Sequence, residues 1–233
     1  MGGNTLLNRI ITVFWIVFRL NLLLLAANII LIVALLFVVF YWITLPVYLL
    51  GLLMLIISLQ GLFQTLRRLD RLEKMSLTKL YILCYREELK STVKFALCYV
   101  IVALLLYGAY VIVQYAPNIM LFAPVYTILA VILYVHLILS MLIRANFFIG
   151  IWSTWRLGFY CISRHPLYAL FILGGTFILG ALINTLPQLA MLGALPAAGY
   201  LLTVSTRKLF KDLTVKLNIT NEEETTDVSK NDG

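Results

Sequence analysis

The chain has 233 residues, of which 63% are hydrophobic and 12% charged, and its mean hydropathy is +1.00. Soluble domains are about 45–50% apolar and about 25% charged, so this composition excludes an ordinary water-soluble domain and indicates a lipid environment. Backbone amides inside lipid must be paired internally, which allows helices or a closed barrel. Barrel strands alternate apolar and polar residues, whereas runs such as Ile29–Leu36 are continuously apolar. We therefore expect an all-α membrane protein.

Three stretches contain no charged residue when histidine is taken as neutral: Leu20–Leu66, Phe95–Ile143 and His165–Thr206. Each stretch is too long for one crossing, which takes roughly 20 apolar residues, and each contains a proline turn near its middle. The sequence therefore predicts six transmembrane helices arranged as three hairpins. The predicted spans cover residues 22–43, 47–66, 95–115, 120–143, 167–185 and 188–206.

A basic amphipathic segment precedes each hairpin, at residues 5–19, 76–94 and 147–163. Apolar residues at spacings of three and four, opposite a basic face, are typical of helices that lie in the membrane surface. We expect residues 1–216 to form a single transmembrane domain. The polar, acidic segment 217–233 has the composition of a disordered tail.

The net charge of +8 comes from basic residues that lie between the hydrophobic blocks, above all in segments 67–94 and 144–164. Cytoplasmic loops carry the excess of Lys and Arg. This pattern predicts a multi-pass protein of the cell membrane, with both termini and both long connectors in the cytoplasm. The expected partner of the basic segments is a bilayer with anionic headgroups, and not nucleic acid.

Acidic residues are absent from Met1 to Leu69 and from Leu89 to Lys211. Proton- and sodium-coupled transporters commonly place a carboxylate inside the membrane, and the sequence also lacks a Gly-rich phosphate loop with Lys-Ser/Thr, a common ATP-binding motif. The pattern therefore disfavours ion coupling, an ATPase site and carboxylate catalysis. We expect no enzymatic activity, no cofactor and no metal site.

Two polar residues within or beside the spans are candidates for a role. Arg19 interrupts the first hydrophobic run, and we expect it to mark the joint at which the surface helix turns into the first span. His136 lies in the fourth predicted span, where a histidine is a functional candidate by default. A hydrogen bond between helices is the more expected role for His136, because no acidic partner lies in any span.

The segment Gly158-Phe-Tyr-Cys-Ile-Ser-Arg164-His165-Pro166-Leu-Tyr168 resembles part of the isoprenylcysteine carboxyl methyltransferases. In that family the segment helps to bind S-adenosylmethionine at the membrane surface. The resemblance implies a membrane methyltransferase that uses Arg164 and His165. The same residues also fit an interfacial Arg and His followed by a proline in the first turn of a helix.

A second resemblance covers most of the chain. It rests on the order of Arg19-Leu20-Asn21 at the first span, Arg86 in Tyr85–Thr92, and Arg164-His165-Pro166 before the fifth span. In this respect the chain is similar to the YesL-type family of small bacterial membrane proteins, whose domain has no assigned function. The resemblance implies an accessory role in ATP-driven carbohydrate or oligosaccharide uptake, with permease subunits as partners. A channel or facilitator for small solutes is the remaining alternative, because three hairpins can surround a path.

Overall fold

The computed structural model describes residues 3–38, 43–69, 75–87, 89–115, 123–147, 149–185 and 193–217. Within these residues the protein is entirely helical, as the composition predicts, with nine helices and no strand. The helices in chain order are α1 (Gly3–Ala27), α2 (Ile29–Phe37), α3 (Leu45–Arg67), α4 (Leu77–Glu87), α5 (Leu89–Tyr115), α6 (Ala123–Asn146), α7 (Ile151–Arg164), α8 (Pro166–Thr185) and α9 (Ala194–Leu217).

Among the described residues, four helices are long and apolar enough to cross a membrane: α3, α5, α6 and α8. The pair α1 and α2 passes the same test together, but the two helices are bent by 67° at the break between them. The described residues therefore indicate a helical multi-pass membrane protein, and by length and apolarity they contain four helices that could span the membrane, or five if the bent pair counts as one span. The predicted sixth span, 188–206, begins in residues outside the described part, and α9 continues past it to Leu217.

The joint predicted at Arg19 is wrong. Helix α1 continues through Arg19 to Ala27, and the bend lies at Asn28. The side-chain Nδ2 of Asn28 donates to the Leu24 carbonyl at 2.8 Å and to the Ser58 hydroxyl of α3 at 2.7 Å. Asparagine competes with the helix for backbone hydrogen bonds, so the chain bends there and is tied to α3. Arg19 is exposed, and its guanidinium lies 4.9 Å from the Trp15 ring centre.

The predicted amphipathic segments correspond to helices of different lengths. Residues 147–163 match α7 closely, whereas residues 76–94 divide between α4 and the first turns of α5, which begins at Leu89 rather than at residue 95. Residues 5–19 form the first part of α1. Of the predicted tail at 217–233, all residues after Leu217 lie outside the described part of the chain.

Helix α3 lies at the centre of the fold, where it contacts α1, α2, α4, α5, α6 and α9. The main core forms where α3, α5, α6, α7 and α9 meet. Polar side chains on α3 are also buried, among them Ser58, Gln60, Gln64 and Thr65. Helix α8 differs, since Ile172 is its one buried residue. The packed face of α6 and its contacts with α5 and α7 position the candidate site.

Candidate functional site

A line of polar and aromatic side chains runs along the contact between α5 and α6. Residues four apart lie on one face of a helix, and both helices use this spacing at the contact. We call the six residues concerned the polar ladder: Ser91, Phe95 and Tyr99 on α5, with His136, Ser140 and Arg144 on α6. Ser91 near the start of α5 pairs with Arg144 near the end of α6, and Tyr99 further along α5 pairs with His136 earlier in α6. The two helices therefore run antiparallel. The three positions on α5 cover roughly 12 Å along the helix.

The lower part of the polar ladder is built around Arg144, which is 3% exposed. Its Nη2 donates a hydrogen bond to the Ser91 hydroxyl at 2.9 Å. Its guanidinium also lies over the Phe95 ring, 5.1 Å from the ring centre. A ring face attracts a cation most strongly when water is excluded. The arginine is thus held at the end of α6 by two residues of α5.

The upper part joins Tyr99, His136 and Ser140, which are 0–2% exposed. The Tyr99 oxygen lies 2.6 Å from His136 Nδ1 and 3.1 Å from the Ser140 hydroxyl, and His136 Nε2 lies 3.0 Å from the Trp155 carbonyl. A carbonyl only accepts, so Nε2 carries the proton and Nδ1 accepts from Tyr99. Tyr99 has one proton, so Ser140 is the donor in their contact. The donors of Tyr99, His136 and Ser140 are all used, and the orientation of His136 is fixed.

Helix α7 closes over the histidine. The rings of Trp155 and Phe159 lie 5.4 and 4.1 Å from the His136 ring, centre to centre. Gly158 lies between these two residues in the sequence of α7, and a Cβ added to it would lie 2.7 Å from His136 Nε2 and 2.9 Å from the Ser140 hydroxyl. No side chain fits in that space. The glycine of the methyltransferase-like motif therefore has a packing role here.

A cavity of about 470 Å³ begins at Tyr99 and extends between α3, α5 and α6, away from the basic segments. We call it the tyrosine cavity, because its otherwise mainly apolar wall contains Tyr99, Tyr107, Tyr110, Tyr126 and Tyr134. Tyr134 is also tied to α8, since its hydroxyl lies 2.8 Å from that of Thr176. The wall is thus mainly aromatic and aliphatic, and two of its five phenolic hydroxyls, those of Tyr99 and Tyr134, are bonded to other side chains.

A second cavity, of about 600 Å³, lies at the other end of the polar ladder. We call it the basic cavity. Its polar lining residues are Arg86, Glu87, Lys90, Ser91 and Arg144. The polar ladder therefore connects an aromatic cavity with a basic one.

The structure places the predicted candidates in three regions. His136 and Arg86 lie at opposite ends of the polar ladder region. Arg19 and the buried Asn21 lie on α1. Arg164, His165 and Pro166 form the corner between α7 and α8, where the His165 ring lies 6.2 Å from the Tyr168 ring. Within the described residues, this corner has no hydrogen bond or ring contact with the polar ladder.

Sequence reasoning missed Tyr99, Ser140 and Arg144. A signal for them was present, because polar residues recur every four positions along α6 at 136, 140 and 144. In an apolar helix that spacing marks a face which packs against protein rather than lipid. The partner residues on α5 have no such mark, since Tyr99 is one of many tyrosines.

Two of the three cysteines, Cys84 and Cys161, are buried in this fold. Burial raises the pKa of the Cys161 thiol on α7 to about 12, and burial also raises the pKa of Cys84 on α4. Both thiols are therefore protonated and weakly nucleophilic at neutral pH. Among the described residues, no group of three His, Cys, Asp or Glu side chains is placed to hold a metal ion.

No family model, curated protein or solved structure matches this chain. Both resemblances noted from the sequence therefore remain expectations. The geometry of the polar ladder and of its two cavities is the basis for a functional proposal.

Proposed function

We propose that this protein is an integral membrane accessory protein that binds a small hydroxylated solute in the tyrosine cavity. In this role it supports carbohydrate or oligosaccharide uptake by a neighbouring ATP-driven importer. The single observation that carries the proposal is the cavity itself, with five tyrosines in an otherwise mainly apolar wall.

The size and lining of the tyrosine cavity suit such a ligand. Small-molecule sites are usually concave, mostly apolar and about 300–1,000 Å³, with a few placed polar groups. A sugar ring has an apolar C–H face that packs on an aromatic ring, and hydroxyls that bond to phenols. Tyr99 is held in place by His136 and Ser140. A preformed site loses less conformational entropy when the ligand binds.

An accessory role agrees with what the sequence lacks. The uncharged stretches provide no carboxylate for ion coupling, and there is no phosphate loop for ATP hydrolysis. Uphill uptake then needs a motor on another protein. We propose permease subunits of a carbohydrate importer as that partner.

Binding tests the proposal most directly. The purified chain in nanodiscs is titrated calorimetrically with oligosaccharides of increasing length. Tyr110→Leu is compared with Tyr160→Leu, because both tyrosines are exposed to a similar degree, 45% and 38%, and Tyr160 lies outside the cavity wall. We expect Tyr110→Leu to weaken binding about tenfold, as loss of one aromatic contact does, and Tyr160→Leu to change it less than twofold.

Two results would overturn the proposal. The first is the absence of a calorimetric signal with every oligosaccharide, combined with lipid chains that remain bound in the tyrosine cavity. The second is recovery of the protein without permease subunits after mild solubilisation, together with unchanged sugar uptake in a deletion strain.

A facilitator for small solutes is the second candidate, favoured by one observation. Cavities of about 470 and 600 Å³ lie at the two ends of the polar ladder, so that opening of the packed ladder would join them. Solute flux into liposomes that contain the purified protein alone supports this candidate. Binding without flux supports the accessory role.

A further inference from the structure

We propose that the basic cavity is an anion site that binds a phosphate group. The site lies where α4 ends, α5 begins and α6 ends, and it is separate from the tyrosine cavity that carries the proposed function. Its walls bring together three cationic side chains, those of Arg86, Lys90 and Arg144. Among the described lining residues the one carboxylate, that of Glu87, forms an ion pair with Arg68. The described lining therefore carries an excess of positive charge.

The depth of the cationic groups suits phosphate recognition. Arg144 forms the floor, where it is 3% exposed and is oriented by Ser91 and Phe95. A fixed, planar guanidinium matches the geometry of phosphate oxygens. Arg86 and Lys90 are exposed at the rim, where their long side chains are able to reach over a bound group.

The backbone contributes to the same site. Helix α5 begins at Leu89, so its first turn, which includes Lys90 and Ser91, forms part of the cavity wall. The first turn of a helix presents N–H groups without intrahelical acceptors, and the helix dipole places positive charge there. This arrangement favours phosphate groups. The start of α5 therefore adds to the side-chain charges, whereas the C-terminal ends of α4 and α6 at the same cavity oppose them, so the three cationic side chains carry the site.

Phosphate at this position has two sources, an anionic lipid headgroup and free inorganic phosphate. Basic pockets between membrane helices are known to suit lipid headgroups. The experiment uses the full chain in neutral detergent with three additions in separate arms: phosphatidylglycerol, phosphatidylcholine and inorganic phosphate. Native mass spectrometry counts bound lipid, and the midpoint of thermal unfolding reports stabilisation by a ligand that binds the folded state.

The expected result is retention of phosphatidylglycerol, or a rise in the midpoint with millimolar phosphate, and no such effect with phosphatidylcholine, whose choline cancels the headgroup charge. The first result assigns the site to a lipid, and the second assigns it to the free anion. If neither ligand binds, the proposal is overturned.

Two double variants localise the binding. Arg86→Gln with Lys90→Gln removes the rim, and Arg207→Gln with Lys208→Gln removes two exposed charges of α9 that lie outside the cavity. We expect the rim variant to weaken binding about tenfold or more, since charge-assisted hydrogen bonds are lost, and the α9 variant to weaken it less than twofold. Equal losses would mean diffuse surface attraction and would overturn the site. Both double variants change only exposed residues. The comparison therefore does not depend on a substitution of the buried Arg144, which could prevent folding.

Discussion

Helices α6 and α8 are nearly equally apolar but differ greatly in how much of each is buried against the rest of the protein. Over 18 residues their mean hydropathies are 2.3 and 2.0, yet 44% of those residues are buried in α6 and 6% in α8. The difference follows the polar residues: α6 carries His136, Ser140 and Arg144 along one face, whereas α8 carries glycines with open space around them. In lipid, apolarity does not decide which face packs. Polar groups do, because they need partners.

The largest expected effect comes from adding a side chain where α7 meets α6. Gly158→Ala would place a Cβ 2.7 Å from His136 Nε2, so we expect overpacking to destabilise the protein by about 1–3 kcal/mol. The matched control is Gly174→Ala on α8, which has nothing within 4 Å of its added Cβ. Thermal unfolding in detergent measures both. Equal midpoints would show that α7 is not pressed against α6.

Removal of one hydroxyl tests the upper part of the polar ladder. Tyr99→Phe leaves His136 Nδ1 and the Ser140 hydroxyl without the partner they share, and we expect a loss of about 1–3 kcal/mol, as for other orphaned buried groups. The control Tyr168→Phe on α8 should change stability by less than about 0.5 kcal/mol. A Tyr99→Phe protein with an unchanged midpoint would contradict the hydrogen-bond network described here.

The reactivity of the Cys161 thiol reports how α7 packs against α6 and α8. With a pKa raised by burial to about 12, Cys161 is roughly 0.01% ionised at pH 8, compared with roughly 10% at the ordinary value of 9.0. We expect a single-cysteine variant that retains Cys161 to react slowly with a water-soluble maleimide, and quickly after denaturation. Because burial raises the pKa of Cys161 in the folded protein, its thiol ionises at a higher pH there than in the unfolded protein. The free energy of unfolding therefore falls as the pH rises above about 9. Fast labelling of the folded protein would place α7 outside the core.

The smallest expected effect concerns the corner between α7 and α8. Arg164 is exposed and His165 is half-buried, so Arg164→Gln and His165→Asn should each change stability by less than about 0.5 kcal/mol. Both should also leave oligosaccharide binding unchanged. Titration with S-adenosylmethionine gives the sharper test, because binding that is lost in Arg164→Gln would favour the methyltransferase over the accessory role.

Prediction from sequence succeeded where the signal was long and local. Uncharged apolar runs located α3, α6 and α8 to within three residues, and amphipathic spacing located α7, whereas α5 begins six residues before its predicted start. The bend was misplaced at Arg19, because a charge interrupts hydrophobicity without interrupting helical hydrogen bonding. Asn28 breaks the helix because its side chain bonds to backbone and to Ser58.

The candidate site was predictable in part. His136 was singled out because a histidine in a membrane span is unusual, and a hydrogen bond between helices was its expected role. The partners Tyr99 and Trp155 lie 37 and 19 residues away in sequence, and no local pattern points to them. Gly158 drew notice as part of a motif, while its actual contact with His136 depends on how α7 lies against α6.

The sequence by itself determined the lipid environment and the all-helical class of this protein. A chain with this apolar content must be in lipid, and lipid demands helices because it offers no hydrogen bonds to the backbone. Only the tertiary structure decided which apolar helix is buried and which is exposed. That choice depends on contacts between residues distant in sequence, such as the join of α5 to α6 in the polar ladder, and helical periodicity carries no information about such pairs.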